Sequence, residues 1–283
     1  MKLQLRNKST KSIIPVILVS IIFTGLLQAA FESYPISTAN LAFGRLSLNG
    51  KGNFVDIINE PSSIIAFNMK GGEVIWNRPF QINELQQTAF ATGFLYKNLG
   101  FGVSASTFGN NIYSESMLAL SVAKSFKSRL AFGVNIVLYQ LKIDDYGTAH
   151  ALGLSASMRY NINENWDWVT TVRNINAPKI GTAKDELPQI VTTGFVGTVH
   201  EILTIATEWE QDLEYKGAIK FGIMLKPLKQ LLFSVGYVSN PGQLTAGLTI
   251  NYNKIYFEYG TIAYNDLGLF THQLGIGVNF GRR

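Results

Sequence analysis

The chain has 283 residues, with 24 basic and 19 acidic residues, no cysteine, 12% aromatic and only 15% charged residues. Without cysteine there is no disulfide scaffold, thiolate metal site, thiol nucleophile or lipid-modified cysteine. The charged fraction lies well below the roughly one quarter of ordinary soluble domains and suits a surface that faces lipid.

The formal charge of +5 is explained by its position. Lys2, Arg6, Lys8 and Lys11 precede the apolar run IIPVILVSIIFTGLL, and the first thirty residues contain no acid. A basic start, an apolar run and the small residues Ala29 and Ala30 predict a secretory signal peptide over 1–30. The run is short of the roughly 20 residues a spanning helix needs, and it contains Pro15 and Gly25. Taking those four cations from the 24 leaves 20 bases against 19 acids, so the mature chain gives no reason to expect a nucleic-acid partner.

Residues 31–70 have irregular spacing, with the stretch GRLSLNGKGN and the turn NEPSS. From Gly71 onward one unit recurs: about ten residues of period-two alternation, then a turn. Strands are predicted near 71–80, 87–97, 100–108, 115–126, 129–141, 149–162 and 166–175. Seven more follow near 188–198, 202–211, 216–226, 230–239, 243–252, 254–264 and 271–280. Short connections, such as 98–99 and 163–165, mostly alternate with longer ones at 109–114, 142–148, 177–187 and 265–270.

An even number of strands of this length, with short turns at one rim and longer loops at the other, describes an outer-membrane barrel. A soluble sandwich would carry Lys, Glu, Asp and Thr on its wet face. Here the second faces are Gly, Ala, Ser and Asn, as in Ala131, Gly133 and Asn135. Aromatic residues such as Tyr96, Phe126, Tyr160 and Tyr252 stand at strand ends, where membrane girdles lie. The expected fold class is therefore all-β, a transmembrane antiparallel barrel of about 14 strands over 71–283, in the outer membrane of a Gram-negative-type bacterium. Fourteen strands enclose more space than small inward side chains fill, so 31–70 is expected to enter the lumen as a plug.

Motifs for chemistry are absent. His150, His200 and His272 have no metal-ligand spacing, so no metal, cofactor or catalytic residue is expected. GFGVSA at 100–105 fits a dinucleotide pattern only as letters, because it lies within an alternating strand rather than opening a helix. The strand count turns Glu208, Glu210, Lys220 and Lys226 inward and sets Glu208 opposite Lys220, an ion pair within the wall; Arg159 and Glu258 join the lumenal set. In the last strand Leu274, Ile276, Val278 and Phe280 face lipid, and strand closure leaves no free edge.

The mature start, FESYPISTANLAFGRLSLNGKGNFVDIINEPSSI, resembles the opening of PorV/PorQ-like proteins of the FadL-like barrel superfamily. YPISTANLAFG stands for their proline-led, alanine- and glycine-rich stretch. Asn59 and Pro61, with Glu60 between them, stand for the Asn-Pro turn before the first strand. The alternation toward the near-terminal aromatic Phe280 resembles the signal read by the barrel assembly machinery, here followed by Gly281, Arg282 and Arg283. The resemblance implies an accessory role in type IX-like secretion or surface attachment, with a secretion-system or exported-protein partner. Its alternative is passive transport of a hydrophobic ligand, and the short loops favour the accessory role because they offer little for a ligand funnel.

Overall fold

The computed structural model describes residues 30–126, 129–265 and 267–281. The predicted signal peptide, apart from its last residue, lies outside the described residues. Fourteen strands close an antiparallel barrel. In chain order they begin with β1 (Gly71–Arg78), β2 (Gln86–Tyr96), β3 (Leu99–Gly109), β4 (Tyr113–Phe126), β5 (Leu130–Ile143), β6 (Gly147–Asn161) and β7 (Trp166–Arg173). A two-stranded hairpin, β8 (Lys179–Ile180) and β9 (Asp185–Glu186), interrupts the series. The barrel resumes with β10 (Ile190–Val199), β11 (Leu203–Asp212), β12 (Ala218–Leu228), β13 (Leu231–Ser239), β14 (Gly242–Tyr252), β15 (Ile255–Tyr264) and β16 (Leu269–Asn279). β1 pairs with β16 from Gly71↔Asn279 to Arg78↔His272, which closes the wall.

Alternation determines which face each residue takes. Along β5, Ala131, Asn135 and Val137 are buried, while Phe132, Val134, Ile136 and Leu138 are exposed on the outside. The same outward apolar surface continues over Leu118, Leu120 and Val122 of β4 and Phe221, Ile223 and Leu225 of β12. A wall this apolar on its outer face requires hydrocarbon around it. No described helix is long and apolar enough to cross a membrane, so the crossing elements are strands.

Several boundaries depart from the sequence expectation for identifiable reasons. β1 stops at Arg78 because Pro79 has no N–H for the ladder. β4, β5 and β6 run on to 14, 14 and 15 residues, so the longer loops expected at 109–114 and 142–148 shrink to residues 110–112 and 144–146. These three strands stand above the neighbouring rim. β7 pairs with β6 only from Ala156↔Val172 to Asn161↔Asp167. Beyond that ladder the side chain of Asn176 takes over, accepting from Leu154 N and donating to Leu152 O, both at 2.8 Å. Phe280 lies just past the last strand residue, with its N–H donating to Lys70 O at 2.6 Å.

Residues 31–70 lie inside the barrel. Two short helices, α1 (Thr38–Ala42) and α2 (Ser63–Ala66), are linked by an irregular chain with buried Phe43, Leu46, Leu48, Phe54, Ile57 and Ile58. Small inward residues are needed because this segment's backbone rests directly on them. A Cβ added at Gly133 would lie 2.4 Å from Ser62 N, and one at Gly236 would lie 2.2 Å from Gly44 N. Gly133→Val is expected to lower the temperature of the folded-to-unfolded gel shift, at an overpacking cost of about 1–3 kcal/mol. Val134→Leu, on the lipid side of the same strand, leaves that temperature unchanged.

Candidate lumenal site

Three stations on the inner wall hold the lumenal segment. At the first, register sets Glu208 of β11 opposite Lys220 of β12. Lys220 Nζ lies 3.2 Å from Glu208 Oε1 and 2.6 Å from Glu210 Oε2. The other Glu208 oxygen accepts the backbone N–H groups of Ser47 and Leu48, at 2.8 and 2.9 Å. Lys220 also donates to Arg45 O at 3.1 Å. The ion pair thus continues from the wall into the segment.

At the second station Arg159 of β6 forks onto Glu60, with Nε at 2.7 Å from Oε1 and a terminal nitrogen at 2.9 Å from Oε2. Its remaining donors reach Asp167 at 2.6 Å and Asn49 O at 2.6 Å. The guanidinium is buried, so this bidentate geometry and four acceptors are what make its burial tolerable. Glu60 was legible in the sequence only as a residue interrupting an Asn-Pro turn. It is the Arg159 partner.

At the third station Glu258 of β15 accepts Ala39 N at 3.1 Å, Asn53 Nδ2 at 3.0 Å and Lys51 Nζ at 3.1 Å. Glu73 of β1 accepts Val55 N at 3.0 Å and shares Asn53 Nδ2 at 3.2 Å. Asp56, within the segment, is buried and accepts both Ser37 N and Ser37 Oγ, at 2.8 and 2.5 Å.

The residues expected in the lumen therefore separate. Glu208, Glu210 and Lys220 meet, whereas Arg159 and Glu258 each serve a different stretch of the segment. Lys226 does not join them. A bulge between Leu225 and Leu228 breaks the alternation, and Lys226 is exposed at the short-turn rim with its N–H on Ile202 O. Asn59 donates to Pro35 O at 2.9 Å and accepts from Arg173 at 3.1 Å, while the Pro61–Ser62 turn hydrogen-bonds Ser157 Oγ at 2.8 Å. Leu274, Ile276 and Phe280 are exposed on the outer side, and Val278 is half-buried. Glu73, Arg173 and Asn135, which donates to Ile58 O, were missed. The inward alternation of β1 places Glu73 in phase with Ile75 and Asn77, a signal that could have found it.

Apolar contacts fill the space between stations. Phe54, Ile57, Ile64 and Met69 pack on Ile75, Ala89, Ala91 and Ala123 of β1, β2 and β4. Phe31 and Ile58 pack on Met117, Val137 and Tyr139, with Ile180 and Leu187 from the connection between β7 and β10. Because Ile57 and Ile58 are successive, the two clusters adjoin in a mainly apolar strip along β1–β5, with Asn135 donating to Ile57 O and Ile58 O between them. Above the segment a polar pocket of about 130 Å³ opens among Tyr34, Arg45, Arg173, Glu210, Lys220 and Pro241. No group of described residues could hold a metal ion.

No protein-family model matches the chain, and no curated relative does. Solved structures do. The Ralstonia pickettii toluene transporter TbuX superposes with a TM-score of 0.62 at 10% identity, covering 88% of this chain and all of that one. The barrel has the FadL-like fold. The CymD monoaromatic hydrocarbon channel gives 0.60 at 10% identity, covering 89% of this chain and all of CymD. A Pseudomonas aeruginosa FadL homologue gives 0.61 at 7% identity, covering 86% of this chain and 98% of that one. A closed barrel of strands with an apolar outer wall is a multi-pass protein of the outer membrane; TbuX is a transporter and CymD a channel.

Breaking a buried, hydrogen-bonded charge pair costs about 3–5 kcal/mol. Glu208→Ala leaves Lys220 with Glu210 as its one carboxylate partner and leaves the Ser47 and Leu48 N–H groups without acceptors. It is expected to make residues 31–70 cleavable by added protease in an otherwise intact barrel. Glu208→Gln, which keeps an acceptor oxygen, has the smaller effect.

Proposed function

We propose that this chain is a passive conduit for small hydrophobic molecules across the outer membrane, with residues 31–70 as its stopper. The observation that carries the reading is the apolar strip along β1–β5, lying between the segment and the wall. A solute that displaces Phe54, Ile57 and Ile58 from the wall meets alanine, methionine and valine rather than charge. Most of the charged contacts, on β6, β11, β12 and β15, hold the opposite side of the segment, and opening the strip side at these three residues breaks the hydrogen bonds from Val55 N to Glu73 and from Asn135 to Ile57 O and Ile58 O. The FadL-like fold, shared with hydrocarbon channels, supports this reading over the secretion role that the PorV/PorQ resemblance suggests.

One observation favours that second role. The raised β4–β6 hairpins present Ile112 and Tyr146, exposed by 67% and 90%, at their tips, a surface suited to a protein partner. Crosslinking in the native envelope separates the two, since a reproducible secretion-system adduct belongs only to the accessory role.

The native chain has no cysteine, which makes a lock clean to engineer. A Cβ added at Gly102 of β3 would lie 2.9 Å from Ile57 Cγ2, so an Ile57→Cys, Gly102→Cys pair ties the yielding side of the segment to the wall. Uptake of a labelled aromatic hydrocarbon by cells carrying the double variant is expected to fall several-fold when oxidised and to recover on reduction. Equal uptake in the oxidised, reduced and barrel-free cells would refute the conduit.

A further inference from the structure

The outer wall carries a feature that the lumen does not explain. Across the seam where β1 meets β16 lies a groove of about 390 Å³, lined on its outer side by Val74, Trp76, Phe257, Tyr259, Leu274 and Ile276. These are aligned rows, because Trp76 pairs with Leu274 and Leu274 with Tyr259, while Val74 pairs with Ile276 and Ile276 with Phe257. Each row buries backbone but leaves its apolar side chains open to the surroundings.

The groove ends, at the rim away from the short turns, under two polar groups in the next row, Arg78 and His272. Both are joined to groove residues. The Arg78 guanidinium lies 5.2 Å from the Trp76 ring, and the Tyr259 hydroxyl is 2.7 Å from His272 Nδ1. Phe270 stacks on the far side of the imidazole, with ring centres 6.5 Å apart. Arg78 donates to Asn83 Oδ1 at 2.6 Å, but its Nε is buried with no acceptor among the described residues. No described carboxylate lies within ion-pair distance of Arg78.

Aromatic rings near a membrane interface are ordinary. A guanidinium without a described carboxylate partner, standing directly above an apolar cleft, is not, and the two together describe an amphiphile with an anionic head. Short turns mark the periplasmic rim, so Arg78 and His272 stand at the outer leaflet. We propose that this seam is a binding site for a phosphate-bearing, acylated glycolipid of that leaflet, with an acyl chain in the groove and the phosphate on Arg78 and His272. A guanidinium matches phosphate geometry, and each methylene removed from solvent adds about 0.8 kcal/mol, although hydrocarbon neighbours in the bilayer reduce that gain. The site also lies on the one ladder that closes the barrel, so an occupant bridges the first and last strands.

The test is native mass spectrometry of the full chain, refolded in detergent with a bisphosphorylated acyl glycolipid or with the same lipid after phosphatase treatment. Wild type is expected to retain the phosphorylated form with about tenfold preference, which corresponds to about 1.4 kcal/mol. Arg78→Gln is expected to lose that preference, and Leu274→Trp, which fills the groove, to retain less of both lipids. Equal retention of the two lipids by wild type would overturn the phosphate site, as would an unchanged preference in Arg78→Gln. Undiminished retention by Leu274→Trp would remove the groove as the acyl seat. The wild-type comparison needs no variant to fold.

Discussion

The structure depends on carboxylates of a barrel wall accepting the backbone N–H groups of a chain that is neither helix nor strand. An irregular segment buried in a membrane barrel must find a partner for each of its polar groups, because no sheet ladder satisfies them. Glu208 takes two such groups, and Glu258 and Glu73 one each. Each carboxylate then needs compensation of its own, which Lys220, Lys51 and Asn53 provide. Small inward faces and buried charge are therefore two consequences of one requirement, close approach of an irregular backbone to the wall.

Much of the wall could be read from the sequence, because a strand between lipid and lumen must alternate. The Glu208–Lys220 register followed directly from that count. It failed at Lys226, where a bulge shifts the phase by a residue that alternation cannot reveal. It also shortened β4, β5 and β6, since Ser114, Lys142, Gly147 and Thr148 look like loop. Strand residues that rise above the bilayer need no apolar outer face, so the signal that defines the other strands is missing there. The segment itself gave only irregular spacing. A helix as short as α1 has little stability alone, and its Ser37 cap and wall contacts lie far apart in sequence.

Charge and apolar contact are distributed unevenly around the segment. The ionic stations anchor it to β6, β11, β12, β15 and β1, while the strip along β1–β5 offers mainly methyl groups and thioether. Ionic contacts are specific in position and cost much to leave unpaired, whereas apolar contacts exchange readily for an apolar solute. The outward seam at β1 and β16 is separate from this arrangement and depends on the wall alone.

Hydrogen exchange of the full chain in a bilayer or nanodisc tests the central claim most directly. Protection of the amides of Ala39, Ser47, Leu48 and Val55, reaching that of the adjoining strands, is the predicted result. Exchange of those four amides at the rate of free chain, while the strands stay protected, would contradict it.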